Sequence, residues 1–247
     1  VKLIADINLG DAESENNPDI IFYPIGYYNS EGTYERNNTA ITSGLKNFEG
    51  TFDGNGKIIF DLYQNGWDLD ADKYCYSMAG GGLFASIENA TIKNLTMDNA
   101  SIVMECVDMG AVVGYANGKC HFENIIVRNS TIQNYNRYTG GVIGEVGGGG
   151  VYTLKNVDVE ASTTLSALWG TFDPSVGGII GGVWHTAGSR FSDNRGTDLT
   201  VEMVNCDVAA KLDVYNDVTS AYQWYSYRRC GMLIGYTEES RTVNGRT

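Results

Sequence analysis

"TIKNLTMDNASI", residues 91–102, returns thirty residues later as "HFENIIVRNSTI", residues 121–132, and again as "TLKNVDVEASTT" (153–164) and "VEMVNCDVAAKL" (201–212). Aligned on Asn94, Asn124, Asn156 and Asn205, the four copies place Ile92, Phe122, Leu154 and Met203 in one column. Leu95, Ile125, Val157 and Cys206 form a second column, and Met97, Val127, Val159 and Val208 a third. The second and third columns alternate with polar residues such as Thr96, Asp98, Asp158 and Glu160, which is the period of a half-buried strand. One face is core and the other is wet.

A second unit, of Gly, any residue, an apolar residue, any residue and a small residue, accompanies the first. It reads "GTFDG" from Gly50, "GGLFA" from Gly81, "GAVVG" from Gly110, "GGVIG" from Gly140, "GGIIG" from Gly177 and "GMLIG" from Gly231. Successive starts lie 31, 29, 30, 37 and 54 residues apart, one period with loops inserted into its last two copies. A repeat of this length, built of short strands and glycine corners, buries its apolar side only by stacking on its neighbours. The chain therefore reads as an all-β solenoid. Stacking at about 4.8 Å per rung predicts that the aligned asparagines hydrogen-bond along the axis as a ladder. Adjacent apolar pairs such as Leu83-Phe84, Val112-Val113 and Ile179-Ile180 depart from simple alternation. Either the glycines kink the strand so that both residues enter the core, or inserted loops cover the outer face.

At 247 residues and 43% hydrophobic, the chain suffices for one continuous core, and we expect a single domain over 1–247. Residues 1–80 make its less regular rungs, and 81–247 its clear repeats. Both ends break into the pattern, Val1 inside "VKLIADINL" and the C-terminus soon after the last glycine unit, so the chain reads as a fragment of a longer one. Seventeen Lys and Arg against thirty Asp and Glu give a formal charge of −13, a surface that repels nucleic acid. No apolar run approaches the roughly 18 residues of a membrane span. Five cysteines, Cys75, Cys106, Cys120, Cys206 and Cys230, form no C-x-x-C pair, and an odd count leaves one unpaired in a monomer. Of five glycosylation-type sequons, at Asn37, Asn89, Asn94, Asn99 and Asn129, three fall in the repeat strands, where asparagine recurs anyway.

The order "L-x-A-D-I-N-L" at Leu3–Leu9, "YPIG" at Tyr23–Gly26 and "F-x-G-T-F-D-G-N-G-K-x-I" at Phe48–Ile59 resembles the opening of GLUG-motif proteins. "GGLFASIENATIKNL" (81–95) and "GAVVGYANG" (110–118) continue the likeness, which weakens in the loops at 60–79, 162–175 and 182–200. The resemblance implies a right-handed parallel β-helix, here of five or six rungs. It also implies a place in a large secreted or cell-surface bacterial protein, such as an adhesin or the non-catalytic region of an immunoglobulin A peptidase. It assigns no catalytic residue to the repeat.

The residues themselves offer little chemistry. His121 and His185 sit in "CHFEN" and "VWHTA", neither an H-E-x-x-H zinc helix, and no G-x-S-x-G elbow or phosphate loop is present. Asp68, Asp70 and Asp72 in "WDLDADKY" have the spacing that opens a calcium loop. Lys73 stands where the turn glycine belongs, however, and Ala79 where the closing glutamate belongs, so they are weak metal candidates. No cofactor is expected. Trp67, Trp169, Trp224 and Tyr138 all precede a glycine unit, at corners that a solenoid stacks along one edge, and Tyr225 lies beside Trp224. Such aromatics suit sugar rings or a partner protein, or else fold back over their own rungs. The expectation is a non-catalytic adhesin-like binding or scaffold module, recognising host or microbial surface glycans or proteins, without membrane insertion, and self-associating end to end or flanked by other domains. The alternative is a polysaccharide-degrading β-helix enzyme, a glycoside hydrolase or a lyase, for which carboxylates are plentiful and arginines sparse.

Overall fold

A period-2 apolar pattern interrupted at fixed points by glycine and asparagine makes strands that bend at those points, and the repeats then pair with one another. The structure, a computed structural model, describes residues 1–10, 22, 24–26, 47–65, 80–104, 106, 108–135, 137–168, 174–184, 199–215 and 229–238. After β1 (Ile7–Asn8) come β2 (Phe48–Phe60) and β3 (Tyr63–Asn65). A short, a long and a medium strand then recur. They are β4 (Gly80–Gly81), β5 (Phe84–Asp98) and β6 (Ser101–Met104); β7 (Asp108–Gly110), β8 (Val113–Arg128) and β9 (Thr131–Asn134); and β10 (Tyr138–Gly140), β11 (Ile143–Val159) and β12 (Thr164–Leu168). In the next repeat β13 (Ser175–Gly177) leads to a long strand in two pieces, β14 (Ile180–Trp184) and β15 (Leu199–Val208), and then to β16 (Lys211–Tyr215). β17 (Arg229–Gly231) and β18 (Ile234–Glu238) follow.

Each strand pairs in parallel with its counterpart one repeat away, which sorts the strands into three sheets. The long strands run β1-β2-β5-β8-β11-β14-β18 with β15 also on β11, the short ones β4-β7-β10-β13-β17, and the medium ones β3-β6-β9-β12-β16. The described residues are all-β, without a helix. The columns aligned on asparagine are the register of the long sheet: Ile92, Phe122, Leu154 and Met203 are successive partners, as are Leu95, Ile125, Val157 and Cys206. Met97, Val127, Val159 and Val208 follow suit. Inside the stack these columns are dry, with Ile92, Ile125, Met97 and Val127 at 0% exposure.

The glycine units need two corrections. "GTFDG" is not a copy of "GGLFA", because β2 pairs with the later part of β5: Thr51 meets Thr91, Phe52 meets Ile92 and Ile59 meets Met97. The buried apolar residues select this register, and two glycines at a strand's bends mimic the other unit. Where β5 turns at Asn94 alone, β2 uses Gly54-Asn55-Gly56, with φ of 54° at Asn55 and 70° at Gly56. The second correction is one residue long. Gly80 and Gly81 pair with Asp108 and Met109 while Phe84 pairs with Val113, so Gly82 rather than Gly81 lies against Gly110. Gly82 has φ of 136°, and a Cβ there would strike the Gly110 carbonyl.

The doubled apolar pairs sit at the bend between short and long strands. Consecutive amides there share one acceptor: Val112 and Val113 donate to the Val142 carbonyl at 3.2 and 2.9 Å, and Val142 and Ile143 to that of Ile179 at 3.0 Å each. The chain thus turns between the two residues, and both members of the pairs from Leu83-Phe84 to Ile179-Ile180, at most 2% exposed, join the same core. The kink is the explanation.

Candidate functional site

The asparagine columns are built by backbone conformation first. Asn94, Asn124, Asn156 and Asn205 adopt φ of 54°, 55°, 54° and 51°, the left-handed region that asparagine tolerates better than other residues with a Cβ. Their side chains then point along the stack. Asn124 Nδ2 donates to Asn94 Oδ1 at 2.8 Å, Asn156 to Asn124 at 2.8 Å and Asn205 to Asn156 at 3.2 Å. Asn94 closes the ladder by donating to Asp53 Oδ1 at 2.9 Å. That bond, with the Asn55 amide and Lys93, holds the Asp53 carboxyl below its ordinary range.

A second left-handed corner, Asp61, Asn99 and Asn129, repeats the device, with Asn99 donating to Asp61 at 2.7 Å and Asn129 to Asp98 at 2.8 Å. Asn89, at φ of 49°, accepts from the Lys119 amide at 3.0 Å. The sequons at Asn94, Asn99 and Asn129 therefore spend their amide nitrogens on the neighbouring repeat, and that at Asn89 its oxygen. Asn37 lies outside the described residues.

Beside the ladder the long sheet presents a flat polar face. Asp53, Lys93, Glu123 and Lys155 form a column of alternating charge, with Asp53–Lys93 at 3.8 Å and Glu123–Lys155 at 3.2 Å. The next column runs Thr51, Thr91, His121, Thr153 and Glu202, and His121 Nδ1 hydrogen-bonds Thr153 Oγ1. Arg128 Nε donates to Asp98 Oδ2 at 2.9 Å. The face is half-buried to exposed and offers polar groups at regular spacing.

Of the aromatic edge, Trp67, Trp169, Trp224 and Tyr225 lie outside the described residues, as do Asp68, Asp70, Asp72, His185 and Cys75. Tyr138 is described, and it offers no open face. It is 3% exposed, and its ring lies parallel to that of Tyr236, 6.3 Å away. The Arg229 guanidinium covers the Tyr236 ring at 3.8 Å. Gly182 makes room for the ring, since a Cβ there would meet Tyr138 Cδ1 at 2.5 Å. Sequence spacing located the corner; the side chain's direction depends on contacts between repeats.

Tyr138 belongs to a buried polar seam that spacing alone did not reveal. Asp108, Tyr138, Ser175 and Arg229 are register partners in the short-strand sheet, and Ser86, Tyr115, Glu145, Gly182 and Tyr236 in the long one. Asp108, Tyr115 and Glu145 are buried. Burial, helped by the charges of Glu145 and Asp108, pushes the Tyr138 phenol far up, so it keeps its proton at every physiological pH. The recurrence of polar residues two positions before Gly110, Gly140, Gly177 and Gly231 was the available signal. The seam joins the two sheets, buried at Asp108, Tyr138 and Glu145 and partly exposed at Arg229 and Tyr236.

Cys106 and Cys120 are buried thiols that donate to the carbonyls of Asp108 at 3.4 Å and Asn117 at 3.1 Å. Burial pushes the Cys120 thiol up to about 11. Cys206 is half-buried in its apolar column, and Cys230 is exposed. No group of three or more His, Cys, Asp or Glu side chains among the described residues is placed to hold a metal ion.

No family model matches the chain, and no solved structure does. Halomucin of Haloquadratum walsbyi is 34% identical over 110 residues, covering 44% of this chain. The match spans 1% of the length of that relative.

Proposed function

We propose that the chain is a right-handed parallel β-helix of the GLUG-motif kind, with five or six rungs, and that it serves as a non-catalytic adhesin-like binding or scaffold module of a secreted or cell-surface protein. The observation that carries this reading is the stack itself. Each repeat meets the next in register, and the conspicuous polar residues hydrogen-bond from repeat to repeat, an arrangement suited to extending a rigid surface. Likeness to a segment that makes up 1% of Halomucin, a protein named as a mucin, supports a place in very long proteins. The resemblance to GLUG-motif proteins implies a bacterial setting, whereas this relative is archaeal.

The face bearing the charge column and the ladder is the surface for glycans or proteins of a host or of other microbes. No helix among the described residues is long and apolar enough to cross a membrane. Glycan-array and surface-protein binding, run beside a reducing-sugar assay on the same glycans, tests the reading. Saturable binding without product is the expected result. Steady release of reducing ends would replace it with the polysaccharide-degrading alternative.

A further inference from the structure

Four N-x-S/T sequons lie among the described residues, and the structure gives their side-chain amides opposite uses. N-glycosylation joins a sugar to Nδ2 and leaves Oδ1 free to accept a hydrogen bond. In Asn94, Asn99 and Asn129 it is Nδ2 that the fold employs. It donates to Asp53 Oδ1 at 2.9 Å, to Asp61 Oδ1 at 2.7 Å and to Asp98 Oδ1 at 2.8 Å, so each nitrogen is held against the preceding rung. Asn89 is employed through its oxygen, which accepts from the Lys119 amide of the following rung at 3.0 Å. Its Nδ2 donates to no group among the described residues, and the side chain is exposed.

The surroundings of Asn89 leave room for a substituent. The residue turns β5 with φ of 49°, and the register shifts there against both neighbours, between Phe48 and Gly50 on β2 and between Glu88 and Thr91 on β8. On one side Gly50, paired with Ala90, is exposed and has open space where its Cβ would stand. On the other, Gly118 lets the Asn89 side chain lie over it, since a Cβ there would meet Asn89 Oδ1 at 2.5 Å. Thr91, which supplies the sequon hydroxyl, is half-buried on the outer polar face between Thr51 and His121.

We propose that Asn89 is an N-glycosylation site, accepting a saccharide from a polyisoprenoid phosphate donor during export, before its rung closes. Asn89 Nδ2 forms a bond to the anomeric carbon and gives up one proton to a base. The anomeric C–O bond to the donor phosphate breaks, and its electron pair leaves on the lipid phosphate, so nothing is oxidised or reduced. The product is still an amide with its carbonyl oxygen, so the bond from Lys119 persists and the rung folds with the sugar outside. A sugar on Asn94, Asn99 or Asn129 would be joined to an atom that folding presses against a carboxylate. The proposal rests on the reading of the chain as an exported protein and does not require the polar face to bind glycans.

The 247-residue chain, given an export signal and produced in cells that glycosylate N-x-S/T sequons of secreted proteins, tests this by glycopeptide mass spectrometry of the folded product. Trypsin cleavage at Lys93 separates Asn89 from Asn94. The expected result is glycan on the Asn89 peptide and none on the peptides holding Asn94, Asn99 and Asn129. Thr91→Ala, which keeps the asparagine and its corner, should abolish the modification without changing the melting temperature of the unmodified protein. An unmodified Asn89 peptide, in cells that glycosylate a control sequon, overturns the proposal. So does occupancy of Asn94, Asn99 or Asn129 equal to that of Asn89, which would mean that the fold does not select the site. Because the added signal imposes export, either failure leaves the reading of the native protein as exported untouched; that reading fails separately, if the native protein stays inside the cell.

Discussion

The repeat formed by β7, β8 and β9 and the last strands of the stack, β15, β16, β17 and β18, carry the same columns, yet they occupy different environments. Phe122, Ile125 and Ile132 are at most 1% exposed, while their counterparts Met203, Cys206 and Leu212 are only partly buried. At the bend, Val112 is fully buried and Leu233 is 41% exposed. The difference comes from the neighbours, because a residue in this fold is covered on two sides by the repeats before and after it. An inner repeat has both. Similar residues therefore contribute different amounts of stability according to where they sit along the stack.

The largest effect expected of that difference is a charge placed in each repeat. Val127→Asp puts a carboxylate into a dry core and should cost roughly 4 kcal/mol or more, unfolding the whole stack, whereas Val204→Asp on the exposed last strand should stay within about 0.5 kcal/mol. Chemical denaturation of the two variants measures both. Equal losses would erase the distinction between inner and terminal repeats.

Truncation should show the same ordering at smaller scale. Phe122→Ala leaves a closed cavity and should cost about 3–5 kcal/mol, while Met203→Ala in the same column should cost about 1–2 kcal/mol. A larger loss at Met203 would mean that the last rung is packed more tightly than its exposure indicates.

The ladder comes next. Asn124 bonds on both sides and holds a left-handed conformation, so Asn124→Ala should cost about 1–3 kcal/mol; Asn205→Ala, bonded on one side, should cost less. Asn124→Gly separates the two causes, since glycine accepts the conformation and loses only the amide bonds. If glycine and alanine melt alike, the backbone conformation contributes nothing.

The smallest effects are electrostatic and of opposite sign in the two regions. Asp98, inside the stack, is opposed by burial but held below the ordinary carboxylate range by hydrogen bonds from Asn129 and Arg128 and by the guanidinium charge. Its stabilisation is complete above the unfolded value near 3.8 and is lost as pH falls through the folded one. Asp158 is raised by burial and by Asp207, its register partner on the last strand. Its penalty is absent below the unfolded value near 3.8, builds as pH rises toward the folded one and is complete above it. Asp158→Asn should gain about 0.2–1 kcal/mol at pH 7 and nothing near pH 3, whereas Asp98→Asn should lose stability at pH 7. Melting curves at the two pH values decide it.

Where a signal repeats in the chain, it survived translation into structure. The three apolar columns and the asparagine ladder needed only an alignment of the sequence with itself. The glycine unit was less reliable, because its pattern fits any strand with glycine at both bends; pairing Phe52 with Ile92 required knowing which side chains are buried. The one-residue slip at Gly82 was hidden because two consecutive glycines allow either alignment. The candidate site was the least legible. Tyr138 was visible as a corner aromatic, but its cover comes from Tyr236, nearly a hundred residues later in the chain.

Sequence alone determined the period, the strands, the inward columns and the residues at the left-handed corners, since these follow from local conformational preference and from alternation repeated along one chain. Only the tertiary structure decided which side chains the repeats bury against each other and where the buried seam of Asp108, Tyr138 and Glu145 forms. Those outcomes depend on what lies one rung above and below, and residues adjacent along the stack axis are 28 or more positions apart in the chain.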